Sequence, residues 1–331
     1  MVFQYIPRQV ALVKHKDQYW PRGAREVTPG PSEAWATADA HCHLNWVGNA
    51  LKRSWKDATL DKIGGKVSSS HRRLSLRVAV CCYLYWTHGS GDGRMEKPPA
   101  AALTDPRFRS CFGVHPKAAM NLDSEKARRK AIMCVSNATM EHRRTVVAIG
   151  EIGLDYYHAS TAKQRKLQQR FLEELLEEIS RHPDLRKLPL VIHVRNAGND
   201  DEEQASFDCL EILRRYPQAT AGGIYRHCYD GSARQATAWL ASYPDMGFGL
   251  SPKVLRPYSH PETHVVFKGL PVRNVILETD SNALRGPGPV PESQTPFDVL
   301  EMLRWYVALK DGRSMGDWYR PIMDNFYRLF Q

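Results

Sequence analysis

The sequence contains no apolar run of the roughly 18 residues or more that a membrane span requires. Its start shows no basic stretch leading into a long apolar one, so no secretory signal is expected. No Cys-x-x-Cys pair occurs, which counts against a structural zinc site of that kind. The seven cysteines are an odd number without framework spacing, which counts against a disulfide-stapled secreted scaffold. Cys81, Cys82, Cys111, Cys209 and Cys228 sit inside apolar stretches and are expected as reduced, mostly buried thiols. Together these absences lead to the expectation of an intracellular monomer, in cytoplasm or nucleus, without a membrane partner. Internal repeats and low-complexity segments are missing too, which excludes solenoid and propeller architectures. No Gly-x-Gly-x-x-Gly follows the first expected strand, which weighs against an open dinucleotide-binding sheet.

What is present suits one sizeable core. Of 331 residues, 42% are apolar and 25% charged, ordinary values for a globular chain. The formal net charge of +10 favours polyanionic partners only weakly by itself. Its distribution carries more information. Residues 47–98 hold ten Lys and Arg against four Asp and Glu, so six of the ten excess positive charges fall there.

Residues 1–35 contain four prolines and no sustained period, and read as an irregular N-terminal extension. From residue 36 to 331 a rhythm takes over. Short apolar runs, several rich in Val and Ile, are expected as strands at 35–41, 76–85, 111–114, 146–151, 188–194, 222–228, 246–250 and 274–279. Leu167, Phe171, Leu175 and Ile179, widened by Leu172 and Leu176, mark an amphipathic helix between the fourth and fifth. Further helices are expected at about 203–215, 296–310 and 318–330, and surface loops at 49–75 and 87–109. Eight strands alternating with helices over this length predict an α/β fold, specifically a (β/α)8 TIM barrel.

The strand ends carry the chemistry. In Asp39-Ala40-His41-Cys42-His43, alternation along a strand puts His41 and His43 on one side and Cys42 on the other. Two imidazoles at a barrel strand's C-terminal end are metal-ligand geometry. Glu151, His193, His227 and Asp280 likewise end apolar runs, and Arg195 follows His193 two residues later. Parallel strands would deliver all of them to the face that holds barrel active sites. One such residue is an ordinary satisfied polar group, whereas five strand ends supplying only His, Glu or Asp point to a shared site.

The motifs around these residues resemble the TatD-like deoxyribonucleases. Asp39-Ala40-His41-Cys42-His43-Leu44, Gly113-Val114-His115-Pro116 and Gly150-Glu151-Ile152-Gly153-Leu154-Asp155-Tyr156-Tyr157 are similar to that family's first three motifs. Leu188 to Arg195, His227-Cys228-Tyr229-Asp230-Gly231-Ser232 and Glu278-Thr279-Asp280-Ser281 complete the series in order. Arg226 before His227-Cys228-Tyr229 looks closer to the animal members. The resemblance spans about 36–330 and implies a nuclease acting on DNA, and on RNA as well, from strand ends. It implies two divalent ions (Mg2+, Zn2+ or Mn2+). His41, His43, Glu151 and Asp280 would hold one ion, and Glu151, His193 and His227 the other. Asp280 would take the proton from the attacking water, and His115 and Arg195 would meet the phosphate. Asp155 would support the site or touch substrate.

Asn45, Asn196, Asn282 and Asp230 depart from the family pattern. None is an expected ligand, so the departures bear on substrate fit and rate. The alternative functions are lactone or amide hydrolysis on the same ligands, or nucleic-acid binding by a weakened site. Loops after the first two barrel strands emerge on the active face. Lys52, Arg53, Lys56, Lys62, Arg72 and Arg73 are therefore expected to meet an incoming polyanion.

Overall fold

A computed structural model describes residues 12–15, 18–21, 35–45, 74–88, 92–198, 203–255, 262–281, 299–310 and 315–330. Strands β1 (Leu12–His15) and β2 (Gln18–Pro21) pair antiparallel, so the leading segment holds a short hairpin where no regular structure was expected. Its Val, Tyr and Trp content is what strands favour. Then come β3 (Trp35–Cys42), β4 (Leu74–His88), β5 (Asp92–Met95), β6 (Phe108–Gly113), β7 (Val146–Asp155), β8 (Leu190–Arg195), β9 (Ile224–Arg226), β10 (Gly247–Leu250) and β11 (Val275–Leu277). Leaving β5 aside, eight strands pair in parallel in the order β3-β4-β6-β7-β8-β9-β10-β11.

The two ends of that row meet. Cys42 and Ser281 form a parallel bridge, the Asp280 amide donates to the His41 carbonyl at 2.9 Å, and the His43 amide to the Ser281 carbonyl at 2.6 Å. The result is a nearly closed parallel barrel, the TIM-type architecture, and among the described residues helices lie between successive barrel strands from β4 onward. All eight expected barrel strands are present, with shifted ends.

Period-2 alternation explains the packing of β4. Val78, Val80, Cys82 and Leu84 join Ala38, Ala40, Val191, Tyr225 and Ile276 in one buried cluster, while Ala79, Cys81 and Tyr83 pack with Phe108 and Phe112 in another. The last helix (Met315–Leu329) adds Met323, Phe326 and Leu329 to the first cluster, and Asn325 donates to the Val275 carbonyl at 2.9 Å, where β11 starts. This helix therefore closes the barrel at the end away from the strand C-termini. The amphipathic helix after β7 (Ala162–Arg181) opens with a capping box of Thr161 and Gln164 and buries Phe171, Leu172, Leu175, Leu176 and Ile179. Each such side chain contributes about 1.5–3 kcal/mol of transfer free energy.

The expected loop at 87–109 is corrected. β4 runs on to His88 and β5 folds back on it, pairing Tyr85 with Met95, after which Ala100–Thr104 forms a short helix. The Glu96 side chain accepts the Leu84 amide hydrogen at 2.9 Å, and Gly93 lies so close to the Tyr85 ring that any Cβ there would overlap it. The loop expected at 49–75 lies almost wholly outside the described residues.

Candidate metal centre

Two irregularities in the strands aim the site. Opposite β4, register slips between Asp39 and Cys42, and opposite β8 it slips between Gly150 and Ile152, leaving Glu151 as the extra residue. Bulges of this kind re-aim a side chain beside an active site. β7 and β8 also run very close together here. At Gly153, with φ +139°, a Cβ would overlap the His193 carbonyl, so only glycine fits.

Glu151 is 2% exposed and stands between two groups of imidazoles. Its Oε2 lies 3.7 Å from His41 Nε2 and 3.8 Å from His43 Nε2. The two His Nε2 atoms are 3.3 Å apart, and Asp280 Oδ1 is 3.8 Å and 3.5 Å from them. These separations are too long for strong hydrogen bonds. They match the edge of a tetrahedron of N and O ligands around one ion, about 3.4 Å for bonds of about 2.1 Å. The other carboxylate oxygen, Oε1, lies 2.5 Å from His193 Nδ1, 2.8 Å from His227 Nε2 and 3.5 Å from His115 Nε2. His193 Nδ1 and His227 Nε2 are 3.1 Å apart. The second group thus closes on Glu151 at hydrogen-bond distance. Both groups offer the donor types that divalent ions take, and the first also has the spacing. Cys42 lies outside this site, packed among Ala79, Cys81, Tyr83 and Phe112.

Burial opposes ionisation of Glu151, but His227, His115 and His193 outweigh it and hold the carboxyl well below the usual carboxylate range. Burial likewise opposes ionisation of Asp280, and the His43, His41 and His227 rings hold it ionised. For His193, burial is overridden by Glu151 and Asp155, which push the imidazole up to about 9. Burial pushes His115 down to about 3, so that ring is neutral near pH 7. His115 Nδ1 accepts the Lys117 amide hydrogen at 3.0 Å, so its ring proton sits on Nε2, the nitrogen facing Glu151.

Behind these groups stand residues that orient them. Asp155 is fully buried, 2.7 Å from His158 Nδ1 and 3.5 Å from His193 Nε2. Asp39 accepts from the Thr279 amide at 2.9 Å, the Thr279 hydroxyl at 2.5 Å and the His41 amide at 3.2 Å, pinning the two strand ends that carry His41 and Asp280. Burial pushes its carboxyl up to about 8. Sequence reasoning missed Glu278. It is buried, accepts the Cys228 amide at 2.5 Å and the Tyr225 hydroxyl, and lies 3.9 Å from His227 Nδ1. Burial, with Asp280 nearby, raises it well above the carboxylate range. An apolar run that ends in a carboxylate just before Thr279-Asp280 was the available signal.

Three departures from the family pattern find partners, and the first, Asn45, donates its side-chain amide to the Lys97 carbonyl at 3.5 Å. Asn196 accepts the Ser206 amide hydrogen at 3.1 Å, at the start of the helix Gln204–Arg214. Asp230 pairs with Lys253, another residue that sequence reasoning missed, at 2.5 Å, and Arg195 also acts electrostatically on Asp230. Arg195 stacks its guanidinium 3.8 Å from the Tyr157 ring centre. Asn282 and the basic residues Lys52, Arg53, Lys56, Lys62, Arg72 and Arg73 lie outside the described residues.

A parallel eight-stranded barrel with a His, Glu and Asp cluster at the C-terminal ends of its strands defines a metal-dependent hydrolase of the barrel class. The chain belongs to the TatD related DNase family, whose model matches residues 38–331. It is 29% identical to the uncharacterized metal-dependent hydrolase YcfH of Escherichia coli strain K12, over 88% of this chain and 94% of that one. It is 32% identical to the human 3'-5' RNA nuclease TATDN2, over 60% of this chain and 24% of the human protein. In fold it resembles the crystal structure of YJJV, a TatD homologue from Escherichia coli K12, with a TM-score of 0.64 at 19% identity, covering 88% of this chain and 97% of that one. Among the described residues, no helix is long and apolar enough to cross a membrane.

Proposed function

We propose that this chain is a two-ion phosphodiesterase that degrades DNA from strand ends and also accepts RNA. The observation that carries the reading is the division of Glu151, one carboxylate oxygen toward His41 and His43 and the other toward His193 and His227. A carboxylate shared in this way suits a pair of ions rather than one. His41, His43, Glu151 and Asp280 would hold one, and Glu151, His193 and His227 the other, from among Mg2+, Zn2+ and Mn2+. Ions bound there would supply Lewis acidity toward a phosphoryl oxygen and lower the pKa of water.

The chain's own groups do the rest. Asp280, ionised and within reach of the first imidazole pair, accepts the proton of the attacking water. His115 presents a neutral Nε2–H to a phosphate oxygen that gains charge, and Arg195 adds a permanent cation beside it. The family match and the name of the human relative support nucleic acid as the substrate class. The basic segment at 47–98 supports a polyanion over a small neutral substrate.

The experiment is incubation of the pure chain with end-labelled single strands, duplexes and RNA, with Mg2+, Mn2+ or Zn2+ added in turn. Stepwise shortening from one end that requires added metal is the expected result. An intact set of nucleic acids alongside metal-dependent hydrolysis of a lactone or an amide would assign the site to that chemistry instead.

A further inference from the structure

Tyr157 stands apart from its neighbours on the active face. Tyr156 beside it is buried, with its hydroxyl on Asp208 at 2.6 Å, whereas Tyr157 is 53% exposed, an unusual place for so large a ring. It lies two residues past Asp155, the last residue of β7, whose carboxylate faces His193. Its neighbours hold the ring without enclosing it. The Arg195 guanidinium covers one side, with its carbon 3.8 Å from the ring centre. The His158 ring meets it edge-on at 5.0 Å, and His158 is itself tied to Asp155. Gly198 brings no side chain near; even a Cβ there would come only within 3.9 Å of Cε2.

We infer that Tyr157 is a stacking platform for the nucleobase next to the scissile phosphate, with Arg195 gripping that nucleotide's phosphate through its N–H rim. The inference rests on the nuclease reading above and adds a base-contacting subsite to it. A guanidinium flat against an aromatic ring keeps its N–H groups in its own plane, directed outward and available to a phosphate. An exposed aromatic face beside such a cation is the usual arrangement for holding single-stranded nucleic acid, and it accepts any base because every base has a π-face. The site therefore selects a nucleotide with a base but not which base.

The test uses the metal-loaded full chain and two synthetic single strands. One is normal, and the other carries an abasic residue at the position beside the terminal cleaved linkage. The native chain is expected to favour the normal strand in kcat/KM by about 5- to 150-fold, the range of one base–aromatic stack. Tyr157→Ala is expected to erase that preference, and Tyr157→Phe and Tyr157→Trp to keep it, since stacking needs no hydroxyl. An equal loss on both strands in Tyr157→Ala would overturn the inference and leave the ring as a support for Arg195. Loss in Tyr157→Phe matching that in Tyr157→Ala would overturn it in favour of the hydroxyl. Fluorescence anisotropy of the same strands reads the preference without turnover. Failure to cleave either strand would sink the nuclease reading, yet a normal-over-abasic binding preference lost in Tyr157→Ala would still support the platform. No binding preference in the native chain would end it.

Discussion

Glu151→Ala is expected to lower hydrolysis by about 10³-fold or more and to reduce ion content at both positions together. The reason is geometric. One side chain supplies Oε2 to the His41 and His43 group and Oε1 to the His193, His227 and His115 group. Removing it leaves two sets of imidazoles with no shared anion to offset their positive partners. Glu151→Gln sharpens the result, because an amide keeps the shape but offers an acceptor oxygen to one group and an NH2 to the other. Retention of one ion in Glu151→Gln and of neither in Glu151→Ala, by elemental analysis, is the expected pair of results. Two ions retained in Glu151→Ala would show that the carboxylate is not shared.

Asp280→Asn is expected to reduce kcat by about 10²–10⁴-fold, the usual contribution of a positioned acid or base, with a smaller change in nucleic-acid affinity. The substitution is clean for a backbone reason. Asp280 has φ +48°, in the left-handed region that Asn tolerates about as well as Asp, whereas Ala there would add strain. Metal content and the circular dichroism spectrum should therefore change less than turnover does. A native kcat in Asp280→Asn would remove Asp280 as the proton acceptor.

The barrel was legible because its strands are apolar on both faces and stop abruptly. Val146 to Glu151 and Val275 to Asp280 each read as an apolar run delivering a charged residue, which is what a buried parallel strand with a functional C-terminal end looks like. The hairpin of β4 and β5 was not legible. Its glycines at 89, 91 and 93 read as loop, and what makes Gly93 a strand residue is the Tyr85 ring across the ladder. The strand bulges were hidden for a related reason. Alternation alone puts His41 and His43 on one side, but the slipped registers that leave Glu151 as an extra residue exist only between paired strands.

The supporting residues depend on partners far away in the chain. Glu278 is tied to Cys228, 50 residues earlier, and Asp39 to Thr279, 240 residues later. Lys253 meets Asp230 only because the segments after β9 and β10 adjoin on the active face. A residue's type and its place at a strand end mark a candidate ligand, whereas the groups packed behind it appear only once the barrel closes.

The proposed two-ion site is tested most directly by measuring ion content and hydrolysis on the same sample through chelation and reloading. Two divalent ions per chain are expected, with cleavage of an end-labelled single strand lost as the ions leave and restored as they return. A chain that takes up no divalent ion, or one that cleaves at full rate in excess chelator, would contradict it.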